Sequence, residues 1–318
     1  MAQPAAIKAV NVAKEYAGAR ALHDVSVTVE RGELFGLVGP DGAGKTTFLR
    51  ILAGLLSLSR GTVLIDGIDV SVDPASVKQR IGYMSQRFSL SETLTVAENL
   101  VYVTEVWHVP RRERRRRISR LLEFSRLGPF QARLTRNLSG GMKQKLSLAA
   151  CLVHEPQILL LDEPTIGVDP ISRRDFWLIL YDLLQAGSTI FLSTPYMDEA
   201  ERCGRIGFLL DGRLIACGSP AALRSTLNTV ILDLRCADPR TARHALRRVP
   251  GMGEAVAFGE HVHVTVPREG FDVQAAVDAV QAAAVDIREW RIREPSLEDV
   301  FLAYIRRGSD ASHERATS

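Results

Sequence analysis

The fold of this chain is predicted from one glycine-rich stretch, Gly39-Pro-Asp-Gly-Ala-Gly-Lys-Thr-Thr47. It matches the pattern GxxxxGK(S/T) and stands between an apolar run at residues 34–38 and a helical stretch that starts near Lys45, which is the context that the pattern requires. Its glycines let backbone N–H groups close around phosphate oxygens, and the N-terminus of the helix adds about half a positive charge at the same place. We therefore expect an α/β fold with a phosphate-binding loop.

Side chains of this loop carry predicted contacts of their own. Lys45 is placed to reach the β- and γ-phosphates of a nucleotide, and the Thr46 hydroxyl to ligate Mg²⁺. Asp41 is an acid beside the predicted phosphates, so Coulomb repulsion favours an outward orientation in which it caps a local backbone N–H. A glycine-rich turn that matches by chance is the alternative, but the flanking strand and helix favour a nucleotide site.

A second strand end, rich in acid, completes the predicted site. Residues 158–163 read Ile-Leu-Leu-Leu-Asp-Glu, and four apolar residues in a row are typical of a strand buried on both faces. Ligands bind at the strand ends of an open parallel sheet, which places Asp162 to hold the Mg²⁺ shell and Glu163 to polarise an attacking water. A turn that starts a helix is the alternative interpretation of Asp-Glu before Pro164, and the phosphate loop argues against it.

Composition narrows the class of protein. The 318 residues include 40 Lys and Arg against 37 Asp and Glu, and a net charge of +3 lacks the strongly basic footprint of a nucleic-acid binder. Four cysteines without CxxC spacing favour a reducing cytosol. No run approaches the roughly 20 apolar residues of a membrane span, and the N-terminus lacks the apolar region of a secretory signal. Any membrane role is therefore expected to need a partner chain.

The order of elements predicts two domains and a tail. Residues 1–222 alternate short apolar strands with helices and are predicted to form the α/β nucleotide-binding domain, with a helical subdomain at about residues 86–150. Residues 223–308 follow the order βαββαβ, which predicts a small ferredoxin-like α+β domain. Residues 309–318 are predicted to be a disordered tail.

The segment Leu138-Ser-Gly-Gly-Met-Lys-Gln144 narrows the prediction to one class of P-loop protein. Ser139, Gly140 and Gly141 are suited to start a helix with bare backbone donors, which makes a second anion site. With this segment the chain resembles the ATP-binding cassette (ABC) family, in which the LSGG segment of one cassette closes on the γ-phosphate held by another. The resemblance covers nearly all of residues 7–220 and implies an ATPase that works as a homodimer or with a related cassette.

Other motifs stand in the order expected from this resemblance. Tyr16 takes the place of the ring that stacks on adenine, although a lone tyrosine is as often an ordinary surface or core residue. Gln86 takes the place of the glutamine that contacts Mg²⁺ or water near the membrane partner. Asp169 takes the place of the aspartate that crosses the dimer interface.

The chain departs from the family pattern at Pro195, where a histidine usually contacts the γ-phosphate. Proline has no side-chain donor, and loss of one preorganised donor lowers turnover by about 10²–10³-fold. We therefore expect good ATP binding with slow hydrolysis, or another group in place of the histidine. Thr194 and Tyr196 are the neighbouring candidates.

The loop, the acid pair and the resemblance together define a candidate site for ATP and Mg²⁺. The predicted catalytic residues are Glu163, Gln86 and Lys45. The predicted Mg²⁺ ligands are Thr46, Gln86 and Asp162. The predicted ATP contacts are Tyr16, Gly39, Pro40, Asp41, Gly42, Ala43, Gly44, Lys45, Thr46, Thr47, Ser139, Gly140, Gly141 and Asp169.

Two segments bear on the direction of transport. Glu294-Pro-Ser-Leu-Glu-Asp-Val-Phe301 and Tyr196-Met-Asp-Glu-Ala-Glu-Arg-Cys203 resemble segments of the daunorubicin-exporter-like ATPases. The resemblance implies export of a drug-like or other amphipathic substrate through a separate ABC-2 type permease, with the ATPase at the cytoplasmic face of the inner membrane. The alternative is a regulatory nucleotide sensor that transports nothing.

Two remaining features have more than one interpretation. Residues 111–117 read Arg-Arg-Glu-Arg-Arg-Arg-Arg, which fits a solvated helix face, a contact with lipid headgroups or a nucleic-acid patch. We expect no nucleic-acid partner. His261 and His263 share one face of a predicted strand, but because no third metal ligand is apparent we interpret them as surface histidines.

Overall fold

The computed structural model describes residues 4–316, and it describes the side chains of all of these except residue 258 and residues 307–316. The chain divides into two compact units between Gly218 and Ser219, where the sequence predicted a boundary after residue 222.

The first unit contains two sheets. The four-stranded sheet is antiparallel and has the order β2-β1-β4-β5, with the strands β1 Ile7–Tyr16, β2 Ala19–Val29, β4 Arg60–Ile65 and β5 Ile68–Asp69. The six-stranded sheet has the order β10-β9-β3-β8-β7-β6, with the strands β3 Leu34–Val38, β6 Ile81–Met84, β7 Ile158–Asp162, β8 Thr189–Thr194, β9 Arg205–Leu210 and β10 Arg213–Gly218. All pairs in it are parallel except β9 with the edge strand β10.

The central strands β3, β7 and β8 are buried along their whole length, as the apolar runs predicted for β3 and β7. Strands of a parallel sheet are covered on both faces, which explains why β3 and β7 are apolar at successive positions instead of alternating. The ring of Phe191 on β8 stacks on Phe35 of β3 and packs against Phe48 of helix α1, Lys45–Leu52. This packing fixes the helix that follows the phosphate loop against the sheet.

Helices fill the connection between β6 and β7, where the sequence predicted a helical subdomain. The helices of the first unit after α1 are α2 Pro74–Arg80, α3 Val96–Val106, α4 Arg111–Phe124, α5 Gly140–Cys151, α6 Pro170–Gln185 and α7 Met197–Ala200. Thr95 and Glu98 form a capping box at the start of α3, which satisfies two backbone donors that the helix itself leaves unpaired. In the arginine-rich α4, Arg114 and Arg117 pair with Glu105 and Glu113.

The second unit has the predicted order βαββαβ, preceded by one short helix and followed by another helix. Its elements are α8 Pro220–Ser225, β11 Thr229–Cys236, α9 Pro239–Leu246, β12 Ala255–Phe258, β13 His261–Pro267, α10 Val273–Ala282, β14 Ile287–Arg293 and α11 Leu297–Ala316. The sheet is antiparallel with the order β12-β13-β11-β14, and alternate residues of β13 enter the core between sheet and helices.

The last helix differs from the prediction at its end. A disordered tail was predicted from residue 309, but α11 continues to Ala316. Residues 309–316 contain Ala, Arg and Glu, which favour helix once a preceding turn is in place. Residues 317 and 318 of the predicted tail lie outside the described residues. Among residues 4–316, no helix has the length and apolar character needed to cross a bilayer.

Candidate functional site

Four neighbouring strands of the six-stranded sheet end at one edge, and each is followed by a predicted site residue. In the order β3, β8, β7 and β6 they lead to the phosphate loop, Pro195, the acids Asp162 and Glu163, and Gln86. The carboxyl ends of parallel strands meet at one edge of a sheet, and ligands bind there. The topology therefore brings together residues that lie more than a hundred positions apart in sequence.

The phosphate loop has a backbone that only glycines adopt easily. Gly42 and Gly44 have positive φ angles of 81° and 103°. A Cβ on Gly39 would lie 2.1 Å from the carbonyl oxygen of Leu209, so the loop packs directly on the end of β9. The loop curls around the ammonium group of Lys45, whose Nζ donates to the carbonyl oxygens of Gly39 at 2.7 Å and Pro40 at 2.9 Å.

Glu163 lies at the centre of the site. Its Oε1 is 3.0 Å from the Nζ of Lys45, and both side chains are buried. Its Oε2 accepts a hydrogen bond from Nε2 of Gln86 at 2.8 Å. Its backbone has a positive φ of 49°, and its N–H donates to the Oγ of Ser193 at 3.0 Å, which ties the turn after β7 to β8. All three predicted catalytic residues are thus in direct contact through one carboxylate.

Asp162 is fully buried and only half satisfied. Its Oδ1 accepts hydrogen bonds from the hydroxyls of Thr46 at 3.1 Å and Ser193 at 2.7 Å. Its Oδ2 is buried and makes no hydrogen bond within the part of the chain that the structure describes. Burial, and after it the negative charge of Asp162, raise the pKa of the nearby Tyr83 hydroxyl above its ordinary value of 10.0. A buried carboxylate oxygen without a donor is costly unless a cation accepts it as a ligand.

A cavity of about 310 Å³ opens above these groups. Its lining residues are Ala21, Asp41, Gly42, Gly44, Lys45, Thr46, Thr47, Gln86 and Glu163. The cap predicted for Asp41 was wrong, because its exposed side chain makes no hydrogen bond within residues 4–316, and the nearby N–H of Ala43 donates to the carbonyl oxygen of Pro40 instead. Ala21 on β2 was not foreseen as a wall of the cavity.

The other predicted ATP contacts do not line this cavity. Tyr16 ends β1 with its side chain 48% exposed, and the ammonium group of Lys14 lies 5.2 Å from the centre of its ring. Ser139 is exposed at the start of α5, where its hydroxyl caps the helix by accepting from the N–H of Met142 at 3.3 Å. Asp169 caps α6 in the same way through the N–H of Ser172.

The two helix starts that carry Ser139 and Asp169 pack directly on one another. A Cβ on Gly141 would lie 2.3 Å from the Cβ of Ser172, so only glycine fits there. A Cβ on Gly140 would meet nothing closer than 3.6 Å, because that residue faces outward. The hydrogen bond from the Ser172 backbone lowers the pKa of Asp169, which keeps the capping carboxylate charged.

Comparison with known proteins assigns the family. A family model described as ABC transporter matches residues 22–166. The daunorubicin/doxorubicin resistance ATP-binding protein DrrA of Streptomyces peucetius is 35% identical over 94% of this chain and 92% of its own length. The chain belongs to the ABC transporter ATP-binding proteins. A Nod factor export ATP-binding protein of Rhizobium leguminosarum is 38% identical, with 94% of each chain covered.

Other relatives extend this picture of an ABC cassette. The probable multidrug ABC transporter ATP-binding protein YbhF of Escherichia coli is 40% identical over 89% of this chain, which spans 48%, or about half, of that relative's length. A dimeric ATP-binding cassette, solved in a post-hydrolysis state with ADP and Pi, matches at 29% identity and a TM-score of 0.62, covering 67% of this chain and 98% of that one. Binding and hydrolysis of ATP are the activity of this family, and its cassettes dimerise and pair with membrane permease subunits.

Two neighbours of Pro195 were predicted as substitutes for the usual histidine of an ABC cassette. Pro195 is half-buried, and Thr194 before it is fully buried, with its hydroxyl donating to Glu199 at 2.7 Å. The half-buried ring of Tyr196 lies under the guanidinium group of Arg173 at 4.6 Å. The hydroxyl of Thr194 is thus engaged by Glu199, whereas the contact of Tyr196 involves its ring.

Glu199 is a residue of the cassette that the sequence did not single out. Its side chain is 1% exposed and accepts hydrogen bonds from the hydroxyls of Thr165 and Thr194 and from Nε1 of Trp177 at 3.3 Å. These donors belong to the turn after Glu163, the end of β8 and the middle of α6. Glu199 therefore joins the segments that carry Glu163, Pro195 and Asp169. Its only sequence signal was a second acid within a short helix after β8, which resembles a solvated turn.

Proposed function

We propose that this chain is the ATP-binding and ATP-hydrolysing subunit of an exporter and drives transport through a separate membrane permease. The observation that carries the proposal is the contact of Lys45, Gln86 and Glu163 beside a buried, half-satisfied Asp162. These residues supply a phosphate-binding lysine, a candidate Mg²⁺ ligand and a candidate general base at one edge of the sheet.

Triphosphate binding is supported by the loop and by Lys45. The backbone of the loop and the N-terminus of α1 offer amide donors and a positive helix end. The Lys45 ammonium is paired with Glu163 at 3.0 Å, so an incoming γ-phosphate exchanges one anionic partner of Lys45 for another. After this exchange, Glu163 keeps its hydrogen bond from Gln86, and its other carboxylate oxygen is available to accept a hydrogen bond from water.

Mg²⁺ fits the donor set of Asp162, Thr46 and Gln86. Hard oxygen ligands suit this ion, and the unpartnered Oδ2 of Asp162 has the lone pairs that it needs. When bound, Mg²⁺ neutralises charge on the phosphate oxygens. Glu163 then accepts hydrogen bonding from the attacking water and polarises it, while Gln86 holds the orientation of that carboxylate.

The incomplete cavity supports action in pairs. Ser139 and Gly140 are exposed at the start of α5, outside the cavity formed by their own chain. When two cassettes pair, the start of α5 in one contacts the γ-phosphate of the ATP held by the other. Asp169 lies at the interface between the two cassettes, and Tyr16 stacks on the adenine of the ATP bound by its own cassette. The pair forms either from two copies of this chain or with a related cassette.

A groove lined in part by Ser85 and Ser89, which flank Gln86 in sequence, supports docking of a permease. It has a volume of about 270 Å³, and its walls include Tyr102, Val106 and Trp107 of the helical subdomain. Tyr102 and Val106 are exposed apolar residues of α3 and suit an apolar helix end of a membrane protein. We assign the partner to ABC-2 type permeases at the cytoplasmic face of the inner membrane. The names of relatives in drug resistance and Nod factor export favour an amphipathic export substrate.

Pro195 favours one second candidate, a regulatory nucleotide sensor that binds ATP without rapid turnover. The distinction is measured with the purified full chain and its permease, using Glu163→Gln and the exposed Glu123→Gln as a matched control. The exporter predicts Mg²⁺-dependent hydrolysis that Glu163→Gln lowers by about 10²–10⁴-fold and Glu123→Gln leaves unchanged. ATP binding without any hydrolysis that depends on Glu163 would establish the sensor instead.

A further inference from the structure

The sheet of the second unit carries a polar cluster on the face opposite its core. Val262 and Val264 of β13 lie in the hydrophobic core of this unit. Side chains alternate along a strand, so His261 and His263 share the other face. Asp233 on β11 pairs in register with His263 and supplies the third ligand group that the sequence did not reveal. The interpretation of these histidines as unconnected surface residues was therefore incomplete.

The three side chains converge on one point. Nδ1 of His261 is 2.8 Å from Oδ1 of Asp233, and Nε2 of His263 is 3.4 Å from the same oxygen. One ligand atom of each residue lies within 4.8 Å of the others. Metal–ligand bonds of about 2.0–2.2 Å hold neighbouring donor atoms roughly 3–3.5 Å apart, which the 3.4 Å between His263 and Asp233 matches. The 2.8 Å between His261 and Asp233 is a hydrogen bond that a metal ion would replace.

The three side chains of the cluster differ in solvent exposure. The Asp233 side chain is 3% exposed, whereas those of His261 and His263 are 38% and 25% exposed. A metal ion at this point reaches solvent past the two imidazoles, which leaves room for a water ligand. Three protein ligands plus water is the arrangement of open metal sites in proteins.

Two arginines adjoin the cluster without occupying its centre. Nε of Arg291 donates to Oδ2 of Asp233 at 3.0 Å and leaves Oδ1 for the histidines. Arg293 lies 3.3 Å from Nδ1 of His263, the ring nitrogen that faces away from Asp233, and is itself paired with Asp299 at 3.1 Å. Arg291 thus orients the carboxylate of Asp233 through its outer oxygen. The guanidinium of Arg293 can only donate, so metal binding at Nε2 of His263, which puts the ring proton on Nδ1, requires Arg293 to turn to its other partner, Asp299.

We propose that Asp233, His261 and His263 form a binding site for one divalent transition-metal cation, of which Zn²⁺ is the representative. Two imidazole nitrogens and one carboxylate oxygen suit this class of ion better than Mg²⁺ or Ca²⁺. The site is separate from the predicted ATP site and does not depend on the proposed function. Binding replaces the proton that bridges His261 and Asp233, joins β11 to β13, and stabilises the second unit.

The test uses the full chain without nucleotide, with the exposed thiol removed by Cys217→Ser. Titration calorimetry with Zn²⁺ and visible absorption with Co²⁺ give the stoichiometry and the ligand field. We expect one ion per chain, an affinity at least about tenfold weaker in His261→Ala and in His263→Ala, and an unchanged affinity in His244→Ala, an exposed histidine of α9. Zn²⁺ should also raise the Tm of the chain but not that of the double variant His261→Ala, His263→Ala.

Absence of Zn²⁺ binding would overturn the proposal, and so would binding of equal affinity in the double variant. Far-UV circular dichroism and ATP affinity serve as folding controls for each variant. Because Asp233→Asn preserves shape and removes only the charge, it provides a milder third variant. If this variant binds Zn²⁺ as tightly as the parent chain, the carboxylate of Asp233 is not a ligand and the proposed three-residue site is wrong.

Discussion

Replacing Glu199 tests whether one buried carboxylate holds the site segments together. In Glu199→Ala the hydroxyls of Thr165 and Thr194 and the indole of Trp177 lose their acceptor. An orphaned buried donor costs about 1–3 kcal/mol, and partial relaxation brings the expected total to about 3–5 kcal/mol. For a unit of about 200 residues, each kcal/mol lowers the Tm by about 2–4 °C, so we expect a fall of about 10 °C.

The assay is differential scanning calorimetry of the full chain, in which the transition of the first unit is identified by its shift on ATP addition. The neighbouring Asp198→Ala is the control, because its side chain is 61% exposed and its pair with Arg173 at 3.6 Å is a surface contact worth about 0–1 kcal/mol. Glu199→Gln keeps the shape of the side chain, so its Tm should lie between those of Glu199→Ala and Asp198→Ala. If the free energy of unfolding of Glu199→Ala lies within about 1 kcal/mol of that of the parent chain, Glu199 does not hold these segments together.

Further predictions concern the helix starts and the position after β8. Gly141→Ala forces a methyl group against Ser172 and should lower stability by about 1–3 kcal/mol in denaturant titrations, whereas Gly140→Ala should unfold like the parent chain. Pro195→His restores a donor and should raise ATP turnover in the assembled transporter by up to about 10²–10³-fold, and equal turnover would contradict the assigned cause. Asp169 stabilises α6 only while ionised. Its contribution is present above its ordinary pKa of 3.8 and lost as pH falls through the lower folded-state value, so acid titration of the Tm should be flatter in Asp169→Ala.

Local sequence was enough to predict the centre of the site. The phosphate loop is one contiguous segment, and the strand of residues 158–162 is a continuous apolar run that ends in an acid. Because both features lie at strand ends of one parallel sheet, the rule for ligand sites in such sheets brought them together without knowledge of side-chain contacts. The contact between Gln86 and Glu163 follows from β6 and β7 being neighbours.

Features that depend on pairing over long distances were missed. The register between β11 and β13 places Asp233 opposite His263, and no local pattern specifies that register. Glu199 belongs to a short helix with two acids, and burial of one of them depends on how α6 packs. Asp41 was predicted to cap a nearby backbone N–H, but the N–H of Ala43 donates to the carbonyl oxygen of Pro40 instead. Local sequence does not indicate which of these two acceptors a backbone N–H will use.

We propose that Ser139 of one cassette completes the ATP site of another. Sedimentation velocity of the Glu163→Gln chain with ATP and Mg²⁺, with and without the added substitution Ser139→Arg, tests this proposal. We expect a dimer that forms only with ATP, and a monomer that still binds ATP when Ser139→Arg is present. A Ser139→Arg chain that dimerises as tightly as its parent would show that Ser139 does not complete the site.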